Sequence, residues 1–235
     1  MSGRYGTIVV IGNLATSLFR FRGNLMADLV ERGYRVIGCA PDIDDDTRRE
    51  LEGLGVEPRN IPLRRAKSGV VFDLMTFYVL LKLFRDVRPT VVLTYTIKPI
   101  VVGNLAASCA GVQHICSIVA GLGSAFAVDE TCSWLTKIMR RLYGVGLSRC
   151  KLVIFQNPDD RNTLDRFGIL RSEVENIEVG GSGVDLLDFP VAGRPATPTF
   201  LLASRLIKEK GIQNYRDAAR VLKRRYPDAR FVLAG

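Results

Sequence analysis

With 235 residues, 47% hydrophobic and 24% charged, the chain has enough apolar material for one large soluble domain, or one domain and part of another. Five cysteines, odd in number and without a CxxC or Cys/His cluster, argue against a disulfide framework and a zinc site and for a reducing compartment. A net charge of +9 favours anionic partners, but no zinc finger, RNP aromatic motif or basic zipper accompanies the basic groups, so no nucleic-acid partner is expected.

From the N-terminus, "TIVVIG" (7–12) reads as a short buried strand, too short for the apolar core of a signal peptide. "RGNLMADLVERG" then sets Leu25, Leu29 and Val30 on one helical face, and Gly33 ends the helix. "YRVIGCAP" is a second strand closed by Pro41, "TRRELEGLG" a short helix and "VEPRNIPL" an extended piece. "FDLMTFYVLLKLFRDVRP" predicts an apolar helix stopped before Pro89, followed by the strand "TVVLTYT". Residues 99–128 contain no Asp, Glu, Lys or Arg and are long enough to imitate a membrane span. The interrupting Gly103, Asn104, Gly111, Gln113 and His114 favour a helix over 100–111 and a buried strand over 115–120 instead. "CSWLTKIMRRLYGVGL" is a helix, "CKLVIFQN" a strand, "PDDRNTLDRFG" a helix and "VENIEVGG" a strand. This alternation predicts an α/β fold: a mostly parallel, doubly wound, Rossmann-like sheet over residues 1–180. The Gly-, Pro-, Ser- and Thr-rich stretch 181–199 reads as an interdomain linker. After it, residues 200–235 open a new βαβ unit and end on its second strand.

Ligands of open α/β sheets bind at the carboxyl ends of the strands, so the loops there carry the candidate chemistry. After the first strand only Gly12 of a glycine fingerprint is present, and Asp42 falls beyond Pro41, which disfavours a dinucleotide site. Arg20 and Arg22 are positioned to meet phosphate, and Thr94, Tyr95, Thr96 and Lys98 fall at the next strand end. Gly121 and Gly123 allow close approach of a substrate to the backbone, or form a turn. His114, the single histidine, stands at the start of its strand, away from that edge. Asn157, Pro158, Asp159 and Asp160 suit a helix N-terminus. Arg205 and Lys210 lie between a strand and a helix beginning near Ile212, a setting that suits a diphosphate. Trp134, Leu135, Ile138 and Leu142 beside Lys137, Arg140 and Arg141 suit a helix lying on an anionic membrane surface, or a core-facing helix with a solvated basic side.

The stretches "FRFRGNLMADLVERGYRV", "TYTIKPIVVGNLAASCAGV", "VAGLGSAF", "FQNPDDRNTLDRFG", "GGSGVD" and "SRLIKEKGI", in this order, resemble family 4 glycosyltransferases of the GT-B fold. The likeness is greatest to the bacterial branch acting on lipid-linked oligosaccharides in capsule, O-antigen and glycoprotein pathways. It implies an N-terminal acceptor-binding domain and the start of a C-terminal nucleotide-sugar-binding domain. Arg205 and Lys210 would hold the diphosphate of a UDP- or GDP-sugar, and Gly12, Arg22, Lys98, Gly121 and Gly123 would line the acceptor side of the cleft. The acceptor implied is a polyprenyl-diphosphate-linked glycan, transfer is retaining, and neither metal nor other cofactor is expected. The family's Glu-x7-Glu pair does not occur in the sequence, and "SIVAGLG" lacks the histidine many relatives carry there, so the catalytic residues stay unassigned. The expectations are therefore a cytoplasmic chain, peripheral on the inner face of the plasma membrane, and inactive alone. The alternatives are a non-catalytic acceptor- or membrane-binding module and half of a split enzyme with a separate C-terminal partner.

Overall fold

The computed structural model describes residues 5–64, 70–123, 126, 134–187 and 189–235. They fall into two compact units, residues 1–183 and 184–235.

The first unit is built on a parallel sheet. Strands β1 (Thr7–Ile11), β2 (Arg35–Ala40), β3 (Glu57–Asn60), β4 (Val91–Tyr95), β5 (His114–Val119), β6 (Leu152–Phe155) and β7 (Glu175–Glu178) pair in the order β3-β2-β1-β4-β5-β6-β7. Alternation in β1 shows why its residues are apolar throughout. Ile8 and Val10 enter the core on one face, Val9 and Ile11 the core on the other. Helices α1 (Ala15–Glu31) and α2 (Asp45–Gly53) cover the first face through Ala15, Leu18, Met26 and Leu51. Helices α3 (Val70–Val87), α4 (Asn104–Cys109), α5 (Trp134–Leu147) and α6 (Pro158–Arg166) cover the second through Leu80, Phe84, Ala106, Tyr143, Leu147 and Leu164. Right-handed crossovers require this split, because the chain moves outward from β1 to β3 and then returns through β4 to β7.

Local signals act where the sequence places them. Gly33 has φ 89° and its N–H donates to Val30 O at 2.8 Å, closing α1. Asn157 accepts from Asp160 N at 2.8 Å, with Pro158 in the first helical position of α6. The charge-free region is no span: it divides into a π-helical turn (Pro99–Gly103), α4 and β5, and no helix among the described residues is long and apolar enough to cross a membrane. Gly146 of α5 is required by packing, since a Cβ there would come within 2.7 Å of Ile100 O in that turn. The rest of the charge-free run, at 124–125 and 127–128, lies outside the described residues.

The second unit comprises β8 (Thr199–Ala203), a 3-10 turn (Lys208–Lys210), α7 (Ile212–Arg225) and β9 (Arg230–Ala234), with β8 and β9 parallel. Phe200 stacks on Phe231 with ring centroids 5.1 Å apart, and the Tyr215 hydroxyl meets Phe200 O and Val232 O. No residue of α7 is buried.

Candidate functional site

The strand order reverses between β1 and β4, both paired to each other but leading away in opposite directions. Ligands of such sheets bind outside the carboxyl ends of the strands at that point. The N-terminus of α1 opens there, with no side chain capping it.

Gly12, the residue after β1, is glycine for a reason the sequence did not reveal. A Cβ at this position would collide with the Tyr95 phenol. Tyr95 closes β4, is 3% exposed, and shares a hydrogen bond of 2.8 Å with the Ser17 hydroxyl of α1. Burial pushes its pKa up to about 12, so the phenol is neutral at physiological pH. Arg22 lies over the Tyr95 ring, its guanidinium carbon 5.0 Å from the centroid.

Arg22 is the distinctive residue of this edge. It is 5% exposed. One terminal nitrogen donates to Phe21 O at 2.9 Å and to the Ser182 hydroxyl at 2.7 Å. Ser182 also accepts from Gln156, which follows β6, at 3.0 Å. The Arg22 Nε is buried without a hydrogen-bond partner. Burial lowers the Arg22 pKa and the adjacent Tyr95 opposes this, yet a guanidinium keeps its proton in any protein setting. A charged donor is thus buried with an unused N–H. One other buried side-chain atom among the described residues lacks a hydrogen-bond partner, the Thr96 Oγ1, directly after β4. Thr96 has φ 70°, a left-handed conformation strained for a β-branched residue.

The other predicted site residues separate. Lys98 does not offer an uncommitted cation: its Nζ donates to Arg64 O at 2.8 Å and pairs with Asp73 at 3.4 Å, tying the π-helical turn to the start of α3. Thr94 lies within β4, not past it, and is fully buried in a closed network with Asn104 and Ser117, both at 2.8 Å. That network is structural, because all its members are satisfied. Gly121 (φ 135°) and Gly123 (φ 60°) are exposed after β5. Arg20 is exposed on α1. His114 opens β5 at the opposite edge of the sheet. In the second unit Arg205 and Lys210 share the loop between β8 and α7, both exposed, with Gly211 (φ 74°) leading into the uncapped first turn of α7. No group of His, Cys, Asp and Glu among the described residues suits a metal ion. Ser17, Gln156 and Ser182 were not singled out from sequence, although "GGSGVD" marked the stretch holding Ser182.

The family description "Glycosyl transferase 4-like domain" matches residues 20–180. The chain belongs to that family. No curated protein matches it. Among solved structures, this glycosyl transferase 4-like chain is similar to UDP-GlcNAc 2-epimerase from Neisseria meningitidis bound to UDP-GlcNAc, at 16% identity and a TM-score of 0.62, over 97% of this chain and 65% of that one. It is similar to Anabaena HepE in complex with UDP and glucose, at 15% and 0.66, over 96% and 60%. It is similar to MurG of Acinetobacter baumannii at 13% and 0.52, over 97% and 65%. These identities report the fold, which is of GT-B type. The chain spans about three-fifths of the length of these proteins.

Proposed function

We propose that this chain is the acceptor-binding part, with the beginning of the donor-binding part, of a retaining glycosyltransferase that transfers a sugar from a UDP- or GDP-sugar to a polyprenyl-diphosphate-linked saccharide. The observation that carries the acceptor assignment is the buried Arg22 with its unused Nε at the carboxyl edge of the sheet. An oxyanion of a diphosphate supplies the missing acceptor, and a charge-assisted hydrogen bond in so dry a setting is among the stronger polar contacts available. Ser182, between Gly181 (φ 101°) and Gly183 (φ 71°), is the partner that yields when the anion arrives. Support for a nucleotide-sugar donor comes from the family match and from the UDP and UDP-sugar complexes among similar folds. Arg205 and Lys210 are the groups to meet its diphosphate and to stabilise the charge that grows as it leaves. The leaving phosphate acts as the base in a front-face reaction, so no histidine at the cleft is required. Surface-polysaccharide or glycan synthesis on the cytoplasmic side is the setting that such substrates imply.

The test is calorimetric titration of a short-chain prenyl-diphosphate sugar into the chain and its Arg22→Met variant. Binding by the parent and about a tenfold or greater loss in the variant, the scale of one charged hydrogen bond, supports the reading. Equal affinities remove it. A second reading is favoured by the epimerases among the similar folds: a UDP-sugar 2-epimerase acts on the free nucleotide sugar and needs no acceptor. Conversion of UDP-GlcNAc with no acceptor present, by this chain or a longer form of it, establishes that alternative.

A further inference from the structure

Past β7 the chain leaves the first unit through Gly180, Gly181, Ser182 and Gly183, all exposed. The last backbone anchor before them is Val179, whose N–H donates to Phe155 O at 2.8 Å. A Cβ at Gly180, Gly181 or Gly183 would meet nothing within 4 Å, so packing does not hold this stretch. Gly181 (φ 101°) and Gly183 (φ 71°) instead supply backbone conformations that a side chain would strain. Among the described residues, the hydrogen bonds that tie 180–187 to the sheet and helices of the first unit both end on one atom, the Ser182 Oγ. One comes from Arg22 of α1 at 2.7 Å, the other from Gln156 after β6 at 3.0 Å. Further along, the Leu187 N–H turns back to Asp185 Oδ1, within the segment itself.

Both lone pairs of the Ser182 hydroxyl are thus engaged, one of them by a charged donor. Ser182 is a neutral acceptor on a guanidinium that is 5% exposed and has an unused Nε. The two partners of the Arg22 Nη1 are not equally free to leave. Phe21 O is fixed in the backbone of α1, whereas Ser182 sits on an exposed segment between glycines. An anionic oxygen is the stronger acceptor, and an exposed hydroxyl that lets go is solvated at once. An arriving anion therefore displaces Ser182, and the charged half of the tether goes with it.

We propose that Ser182 is a positioning residue that senses the acceptor site: with the site empty it fastens residues 180–183 to Arg22, and a bound diphosphate releases them. This rests on the acceptor reading of Arg22 and adds a consequence for the chain that leads to the second unit. Coupling of this kind is reciprocal: as much as the anion weakens the tether, the tether weakens binding of the anion.

The test pairs calorimetric titration of a short-chain prenyl-diphosphate sugar with backbone amide order parameters from nuclear magnetic resonance, on the 235-residue chain. Ser182 is exposed, so its variants keep the fold. Ser182→Ala removes the competing acceptor and should raise the affinity about three- to tenfold, the scale of one hydrogen bond. A serine that only orients Arg22 for its ligand gives the opposite sign, a loss of affinity. Ser182→Thr keeps the hydroxyl and restores the affinity of the parent. Gln156→Ala deletes the uncharged half of the tether and raises affinity by less. The control Ser148→Ala, which deletes a hydroxyl donating to Val145 O, changes neither readout.

In the parent, order parameters of Gly181, Ser182 and Gly183 should drop from about 0.8 to below about 0.6 on saturation, while that of Val179 holds. In Ser182→Ala they are low without ligand and do not change when it binds. Binding that leaves the parent's order parameters unmoved overturns the tether, and so does a Ser182→Ala affinity equal to or below the parent's. Either result leaves the acceptor reading of Arg22 standing. Absence of binding to the parent overturns that reading and the tether with it.

Discussion

Arg22 and Lys98 are both cations near the carboxyl edge, and their surroundings assign them opposite fates. Lys98 is committed to Asp73 and Arg64 O within the fold. Lys98→Met is therefore expected to lower unfolding free energy by about 1 kcal/mol, the pair being partly solvated, with little effect on diphosphate affinity. Urea unfolding and prenyl-diphosphate titration of one variant decide this, and a loss confined to affinity returns Lys98 to the acceptor site. Arg22 is buried with an unsatisfied donor, which costs stability in the empty protein. Arg22→Met should leave stability within about 1 kcal/mol of the parent or raise it, while the affinity falls. A variant that unfolds outright would assign Arg22 to the core. Burial also sets the thiols and phenols apart. The Cys39 thiol and the Tyr95 phenol are pushed up to about 12 from ordinary values of 9.0 and 10.0, and the Cys150 thiol likewise to about 12. The unfolded chain loses these protons first, so the linked stability is intact below the unfolded values and is lost as pH rises through the folded ones. Urea midpoints should decline as the pH rises from about 9 to about 12. In the native state at neutral pH, alkylation followed by mass spectrometry should find Cys109, which is exposed, modified well before buried Cys39 and Cys150.

At the scale of elements, the two units differ in what their helices bury. Helix α1 places Leu18 and Met26 in the core against the sheet and Gly23 beside Leu54, whereas α7 buries nothing and Val221 on it is 68% exposed. Strands β8 and β9 form a two-stranded sheet with Leu201 and Leu233 exposed, and Ala229 is the one fully buried apolar residue from 200 onward among those described. Two strands and a helix with so little buried surface hold together weakly. Amide exchange beyond Thr197 should thus be faster than in β1, β2, β4 and β5 by at least about tenfold, the ratio that each 1.4 kcal/mol of local stability gives. Uniform protection across the chain would show that α7, β8 and β9 are as stable as the sheet of the first unit, against this expectation.

For the whole molecule, the decisive quantity is how much of a GT-B cleft the chain supplies. It spans about three-fifths of its structural relatives, and the candidate donor contacts are limited to one loop with Arg205 and Lys210. Catalysis by positioning and electrostatic stabilisation needs groups on both sides of the transferred sugar. The chain of 235 residues alone is accordingly expected to transfer no sugar from UDP- or GDP-sugars to a prenyl-diphosphate saccharide, while still binding the acceptor. A radiolabel transfer assay measures this, and turnover by this chain alone would place a complete donor site within it.

Element order and element ends were legible in the sequence because they rest on local physics. Hydrophobic runs buried on both faces mark β1 and β4, and Asn157-Pro158 and Gly33 act within one helical turn. The winding followed from the handedness of crossovers. The fate of each polar side chain did not follow, because it depends on partners distant along the chain. Gly12 is needed to admit Tyr95, and Lys98 turns to Asp73. Arg22 meets Ser182 across 160 positions, with its Nε left over. A loop sequence states which charges stand near the edge of a sheet. Only the folded arrangement decides which of them are neutralised at home and which are buried with a hydrogen bond still to make.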